Sequence, residues 1–207
     1  MTKQIIFAIA LLLTIGVFSY TINRIIGFFR LTRPAFPVRD FGKRIKVMLT
    51  VAFGQTKSFR KPVLGFAHAL VFWGFCVIII GSIEMVIDGL AGSERVLQIL
   101  GPVYNIIMAS GDIFALIVAI SIIIFLIRRI FFHIKRFEGI EMKKISHIDA
   151  NIALSIILIL MISLLSMNIG YVKYQTLIGE EIVGLYPISK VITALFSGTS
   201  ADTFRLV

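Results

Sequence analysis

Apolar residues in this chain fall in long, nearly unbroken runs. They do not alternate as in a strand, and they do not form the one-sided stripe of a helix packed against a soluble core. Four runs approach the roughly 20 residues that a helix needs to cross a hydrocarbon layer. They cover about residues 5–29, 62–87, 104–127 and 151–169. Arg24 falls near the end of the first, where a long cation can reach the interface, and Arg128-Arg129 stop the third. The pattern predicts an all-α, polytopic transmembrane helix bundle with four spans, forming a single membrane domain over residues 1–207. The first run is read as a retained span, not a cleaved leader. Only Lys3 precedes it, no small-x-small site follows, and Asn23-Arg24 lead into a basic stretch.

The segments between the runs add a second kind of element. In the loop over residues 30–61, Pro34 and Pro37 interrupt the first span. Asp40 is expected to cap a new helix. Phe41, Ile45, Met48, Leu49, Ala52 and Phe53 share one face of it, Lys43, Arg44 and Lys46 take the polar side, and Gly54 ends it. This is the pattern of an interfacial amphipathic helix. It is read as a surface drawn to anionic lipid, or alternatively as a ledge for a cytoplasmic partner. Beyond the fourth span lies a tail, residues 170–207. There Pro187 opens a short amphipathic stretch through Phe196, and Gly198-Thr199-Ser200 closes it.

Composition agrees. Hydrophobic residues make up 58% of the chain and charged ones only 15%, and the mean hydropathy is +0.97. Charged residues usually supply about a quarter of a soluble domain, so the bilayer must serve as solvent. The net charge of +10 is first a topology signal. Cations crowd residues 30–61 and 128–148, whereas the loop between the second and third spans has only Arg95 beside Asp88 and Glu94. The positive-inside rule places both basic loops in the cytoplasm and the N-terminus and tail outside. The cations flank apolar runs, so a nucleic-acid partner is not expected. Cys76 is the one cysteine. It excludes an internal disulfide, a cysteine-rich iron–sulfur or zinc framework, and thioether-linked haem.

Ionisable groups inside spans are the candidates for chemistry. His68 sits near the cytoplasmic third of the second span, and a neutral imidazole is a good axial ligand for haem iron. Gly65 and the small Ala69 would let a flat macrocycle approach, with Phe72 and Phe75 as pocket walls. The plainer reading is a histidine bonded to a neighbouring helix. His133 and His147 read as interfacial imidazoles, with His147 the weaker candidate ligand. Glu84 lies sixteen residues beyond His68, about 24 Å along a helix. Asp112 lies two turns into the third span from the same side. The two acids are candidates for proton exchange with a quinone, or else are wet interfacial carboxylates. No residue is assigned a catalytic role.

The stretch Gly54-Gln55-Thr56-Lys57, followed by Gly65-Phe66-Ala67-His68 and Phe72-Trp73-Gly74-Phe75, carries a resemblance. It resembles the membrane part of bacterial iron–sulfur-binding oxidoreductases related to heterodisulfide reductase, which is similar to the cytochrome b (gamma) subunit of respiratory nitrate reductase. The likeness extends through Asp149-Ala150-Asn151 and Pro187-Ile188-Ser189. It implies a protein of the bacterial cytoplasmic membrane, with haem b held by His68 and a second ligand on a further span outside this chain. It also implies [4Fe–4S] clusters in a further C-terminal domain, whose cysteine-rich motifs this sequence does not contain. The function expected is electron transfer between a cytoplasmic iron–sulfur or flavin donor and the quinone pool. The alternatives are a haem-free membrane anchor and a small proton-coupled transporter.

Overall fold

The computed structural model describes residues 2–31, 39–60, 62–132 and 144–195. Six α-helices follow in order among them: α1 (Thr2–Arg30), α2 (Phe41–Met48), α3 (Pro62–Ala91), α4 (Pro102–Phe131), α5 (Lys144–Ile178) and α6 (Pro187–Leu195). A π-helical turn, Leu49–Phe53, extends α2, and 3₁₀ turns occupy Ser58–Arg60 and Val96–Leu100. No strand occurs among the described residues. The helices long and apolar enough to cross a membrane cover Thr2–Arg30, Pro62–Ala91, Pro102–Phe131 and Ile148–Ile178. The four runs in the sequence therefore are helices, and each extends past the apolar run that announces it. The largest extension is in α5, which continues beyond Ile169 to Ile178. Polar groups there, such as Lys173 and Gln175, can sit on a helix end at the interface as readily as in a loop.

Two compact units divide the chain. The first comprises Met1–Thr56 with Ser82–Leu97, and the second Lys57–Gly81 with Gln98–Val207. In the first unit α1 buries no residue. Leu12, Leu13, Val17 and Phe18 are each more than 60% exposed, a surface that only a lipid-like solvent tolerates. Asp40 precedes α2, and its carbonyl accepts the Arg44 N–H at 3.1 Å. Its side chain, however, makes no capping hydrogen bond. The backbone at φ 57 is left-handed, not the extended geometry of a capping residue. The carboxylate instead approaches Lys43 Nζ at 3.7 Å. Gly54 does end the element, through its N–H to the Leu49 carbonyl.

In the second unit α4, α5 and α6 pack against one another. Without a hydrophobic drive between helices in lipid, such packing depends on close backbone approach and polar contacts. The buried positions of α4 include Ala115, Ala119 and Ser121, side chains small enough for that approach. Gly74 of α3 lies against Val118 and Phe114 of α4, close enough that a Cβ would collide with the valine. Pro34, Pro37, Lys61, Lys135, Arg136, Lys143 and the stretch from Phe196 onward lie outside the described residues.

Candidate functional site

His68 is on α3, exposed at the chain's surface. At about 100° per residue, Phe72 and Phe75 project from nearly the same side as His68. Phe72 is half-buried and Phe75 is 64% exposed. Gly74, which meets α4, and Phe66 and Trp73, which meet Phe59 at ring-centroid distances of 6.5 and 6.4 Å, lie on other sides of α3. Helix packing within the unit thus occupies two sides of α3 and leaves the imidazole on a third, facing outward.

Gly65 has another use than the one expected. Its missing side chain makes room for the Ser58 carbonyl, which a Cβ would strike. The 3₁₀ turn at Ser58–Arg60 is therefore seated on α3 one turn before His68, with Phe59 laid over Phe66 and Trp73. A macrocycle cannot use that space, so of the expected pocket the exposed His68 and Phe75 remain, beside the half-buried Phe72. His133 and the His147 side chain lie outside the described residues.

Each candidate acid is buried and accepts backbone N–H groups. Asp112 of α4 is 1% exposed and takes four hydrogen bonds. Asn168 Nδ2 of α5 donates to Oδ1 at 3.1 Å, and Ser189 Oγ of α6 donates to the same oxygen. The Ile188 and Ser189 N–H groups donate to Oδ2 at 2.8 and 2.9 Å. These amides belong to the first turn of α6, where helical N–H groups have no partner within the helix. Pro187 has no N–H to satisfy, and the preceding residue, Tyr186, carries no capping acceptor. A carboxylate from another helix fills the role, in a place where the helix dipole also favours negative charge.

Glu84 of α3 is 5% exposed, and its Oε1 accepts the Leu97 N–H at 3.0 Å. One turn on, Asp88 accepts from Ser93 Oγ at 2.7 Å, from the Arg95 N–H at 2.8 Å and from the Val96 N–H at 3.1 Å. Together the two acids satisfy the amides that open the Val96–Leu100 turn, whose preceding Arg95 is held at φ 59. Glu84 and Asp112 belong to different units, each with its own donors.

Asp88, Asn168 and Ser189 are not among the residues that the sequence marks as candidates for chemistry. Asn168 had a signal, as a lone amide within an apolar run. Ser189 had a subtler one, a proline-opened helix with no acceptor of its own. Among the described residues no group of three or more His, Cys, Asp or Glu side chains could hold a metal ion. An exposed imidazole such as His68 could hold a haem iron, and the described spans supply no second histidine. With Cys76 as its one cysteine, the chain does not fit an iron–sulfur cluster.

No family model matches the sequence, and no solved structure matches it. Among curated proteins it is similar to the probable iron-sulfur-binding oxidoreductase FadF of Bacillus subtilis (strain 168), at 24% identity over 120 residues. The matched stretch is 58% of this chain but only 17% of that relative.

Proposed function

We propose that this chain is a membrane electron-transfer module, linking a cytoplasmic iron–sulfur or flavin oxidoreductase to the quinone pool through haem b. The distant likeness to an iron–sulfur-binding oxidoreductase supports a redox-related role. The observation that carries the finer reading is the His68 imidazole, exposed on a membrane-spanning helix beside Phe72 and Phe75. An imidazole facing lipid alone has little to recommend it energetically, whereas one facing a cofactor and the helix beyond it has a partner.

His68 would hold the haem iron through an imidazole nitrogen. The second ligand would come from His147 or from a histidine outside this chain. Bound haem supplies reversible one-electron chemistry, and the protein tunes it through ligand, burial and nearby charge. The Ser58–Arg60 turn, clamped at Gly65, fixes the polypeptide one helical turn from the ligand. Glu84 and Asp112 enter this reading chiefly as groups that hold the fold. Either could exchange protons with a quinone only by releasing the donors it now holds. That requirement also weighs against the transporter reading.

The test is a reduced-minus-oxidised absorption spectrum of the protein purified from its native membrane with its partners, compared with His68→Ala. A b-type signal that the substitution removes supports the proposal. A featureless spectrum from the intact assembly overturns it and leaves a haem-free anchor in its place.

A further inference from the structure

The segment from Phe41 to Phe53 takes no part in the proposed electron path, yet it is amphipathic and its apolar side is exposed. In α2, Phe41, Ile45 and Met48 project within about 60° of one another. They are 69%, 38% and 53% exposed, and Leu49 and Phe53 of the π-helical turn add 49% and 52%. Lys43 and Lys46 project from the opposite side. Over residues 39–57 the cations Arg39, Lys43, Arg44, Lys46 and Lys57 stand against Asp40 alone.

Both ends of this segment are fixed by the backbone. Asp40 turns the chain at φ 57 and Gln55 at φ 50, conformations that cost non-glycine residues energy unless their surroundings hold them. Gln55 is buried, and its side-chain amide donates to the Ala52 carbonyl. Arg44 Nε donates to the Arg39 carbonyl at 3.0 Å. The apolar stripe is therefore presented on a formed element. The Lys43–Asp40 pair is solvent-exposed on both sides, at 83% and 67%, and such a pair does little to hold a lysine from another anion.

We propose that the Phe41–Phe53 segment is a binding surface for anionic phospholipid. The stripe from Phe41 to Phe53 enters the boundary of the acyl chains, and Lys43 and Lys46 engage headgroup phosphates. Connectivity supports this occupant. The segment joins the end of one membrane-spanning helix to the start of the next, so it is tethered near a bilayer surface at both ends. An apolar stripe with a lysine-rich far side matches the depth at which interfacial helices rest. The charge balance matches an anionic leaflet, where each lysine near the surface strengthens attachment about fivefold.

The test uses the full chain carrying Cys76→Ala, with single spin-labelled cysteines introduced as Phe41→Cys, Lys43→Cys, Ile45→Cys, Lys46→Cys and Met48→Cys. Each is reconstituted in phosphatidylcholine vesicles with and without phosphatidylglycerol. Collision with oxygen reports lipid, and collision with a water-soluble nickel chelate reports water. The expected result with phosphatidylglycerol is nickel protection at positions 41, 45 and 48, and nickel access at 43 and 46. Adding Lys43→Glu with Lys46→Glu to the chain labelled at position 41, 45 or 48 should lower protection severalfold. Uniform nickel access along the segment would overturn the proposal and point to a protein partner. Equal protection in both vesicle types would overturn the role of anionic headgroups.

Discussion

Asp112 receives the Ser189 N–H at 2.9 Å from a helix that begins 75 residues later in the chain, so a carboxylate on α4 acts as the missing N-cap of α6. With the Ile188 amide, the Ser189 hydroxyl and the Asn168 amide, it joins three helices around one buried side chain. Removing it would strand several buried donors, and each hydrogen bond to a charged group contributes about 1.5–3 kcal/mol. Asp112→Ala is expected to destabilise the protein by about 3 kcal/mol or more, read as a large drop in the thermal midpoint in detergent. Ser189→Ala keeps both amides and removes one such bond, so it should cost about 1.5–3 kcal/mol, less than Asp112→Ala. A midpoint for Asp112→Ala close to wild type would show that α6 does not depend on this cap.

At Gly65 the prediction is steric. A methyl group there would meet the Ser58 carbonyl, so Gly65→Ala should displace the 3₁₀ turn and cost about 1–3 kcal/mol. Gly16→Ala is the control. Nothing lies within 4 Å of a Cβ added there, and alanine in place of glycine inside a helix stabilises by about 0.5–1 kcal/mol. Thermal melts of the two variants in one detergent should move in opposite directions.

Asp88 should hold the Val96–Leu100 turn. Asp88→Ala leaves the Arg95 and Val96 amides without their acceptor, and hydrogen exchange at these two positions should quicken. Glu84→Gln keeps an acceptor oxygen for the Leu97 N–H and should leave exchange there near that of wild type. Unchanged exchange at Arg95 and Val96 in Asp88→Ala would mean that the turn is held by something other than this acid.

His68→Ala should leave the fold unchanged. The side chain is exposed, and surface substitutions away from packed features usually shift stability by no more than about 0.5 kcal/mol. An unchanged melt of the apoprotein, together with loss of the b-type spectrum in the intact assembly, would separate ligand loss from misfolding. A collapsed melt would instead make His68 a structural residue.

Hydropathy alone sets the solvent and the architecture. A span must be a helix of about 20 apolar residues because lipid cannot satisfy backbone polar groups. That constraint is written in hydropathy and needs no knowledge of neighbours. Pro187 likewise announces α6, and Gly54 the end of the interfacial element, because their conformational effects are local. The uses of Gly65, Glu84 and Asp112 were decided only by tertiary structure. A glycine in a span reads the same whether it admits a cofactor or a neighbouring carbonyl. A buried carboxylate reads the same whether it carries protons or caps a helix. Asp112 meets its partners 56 to 77 residues along the chain, and no periodicity spans that distance. Asp40 shows the converse. Its residue type fits a cap, but the backbone adopts φ 57, and the side chain makes no capping hydrogen bond.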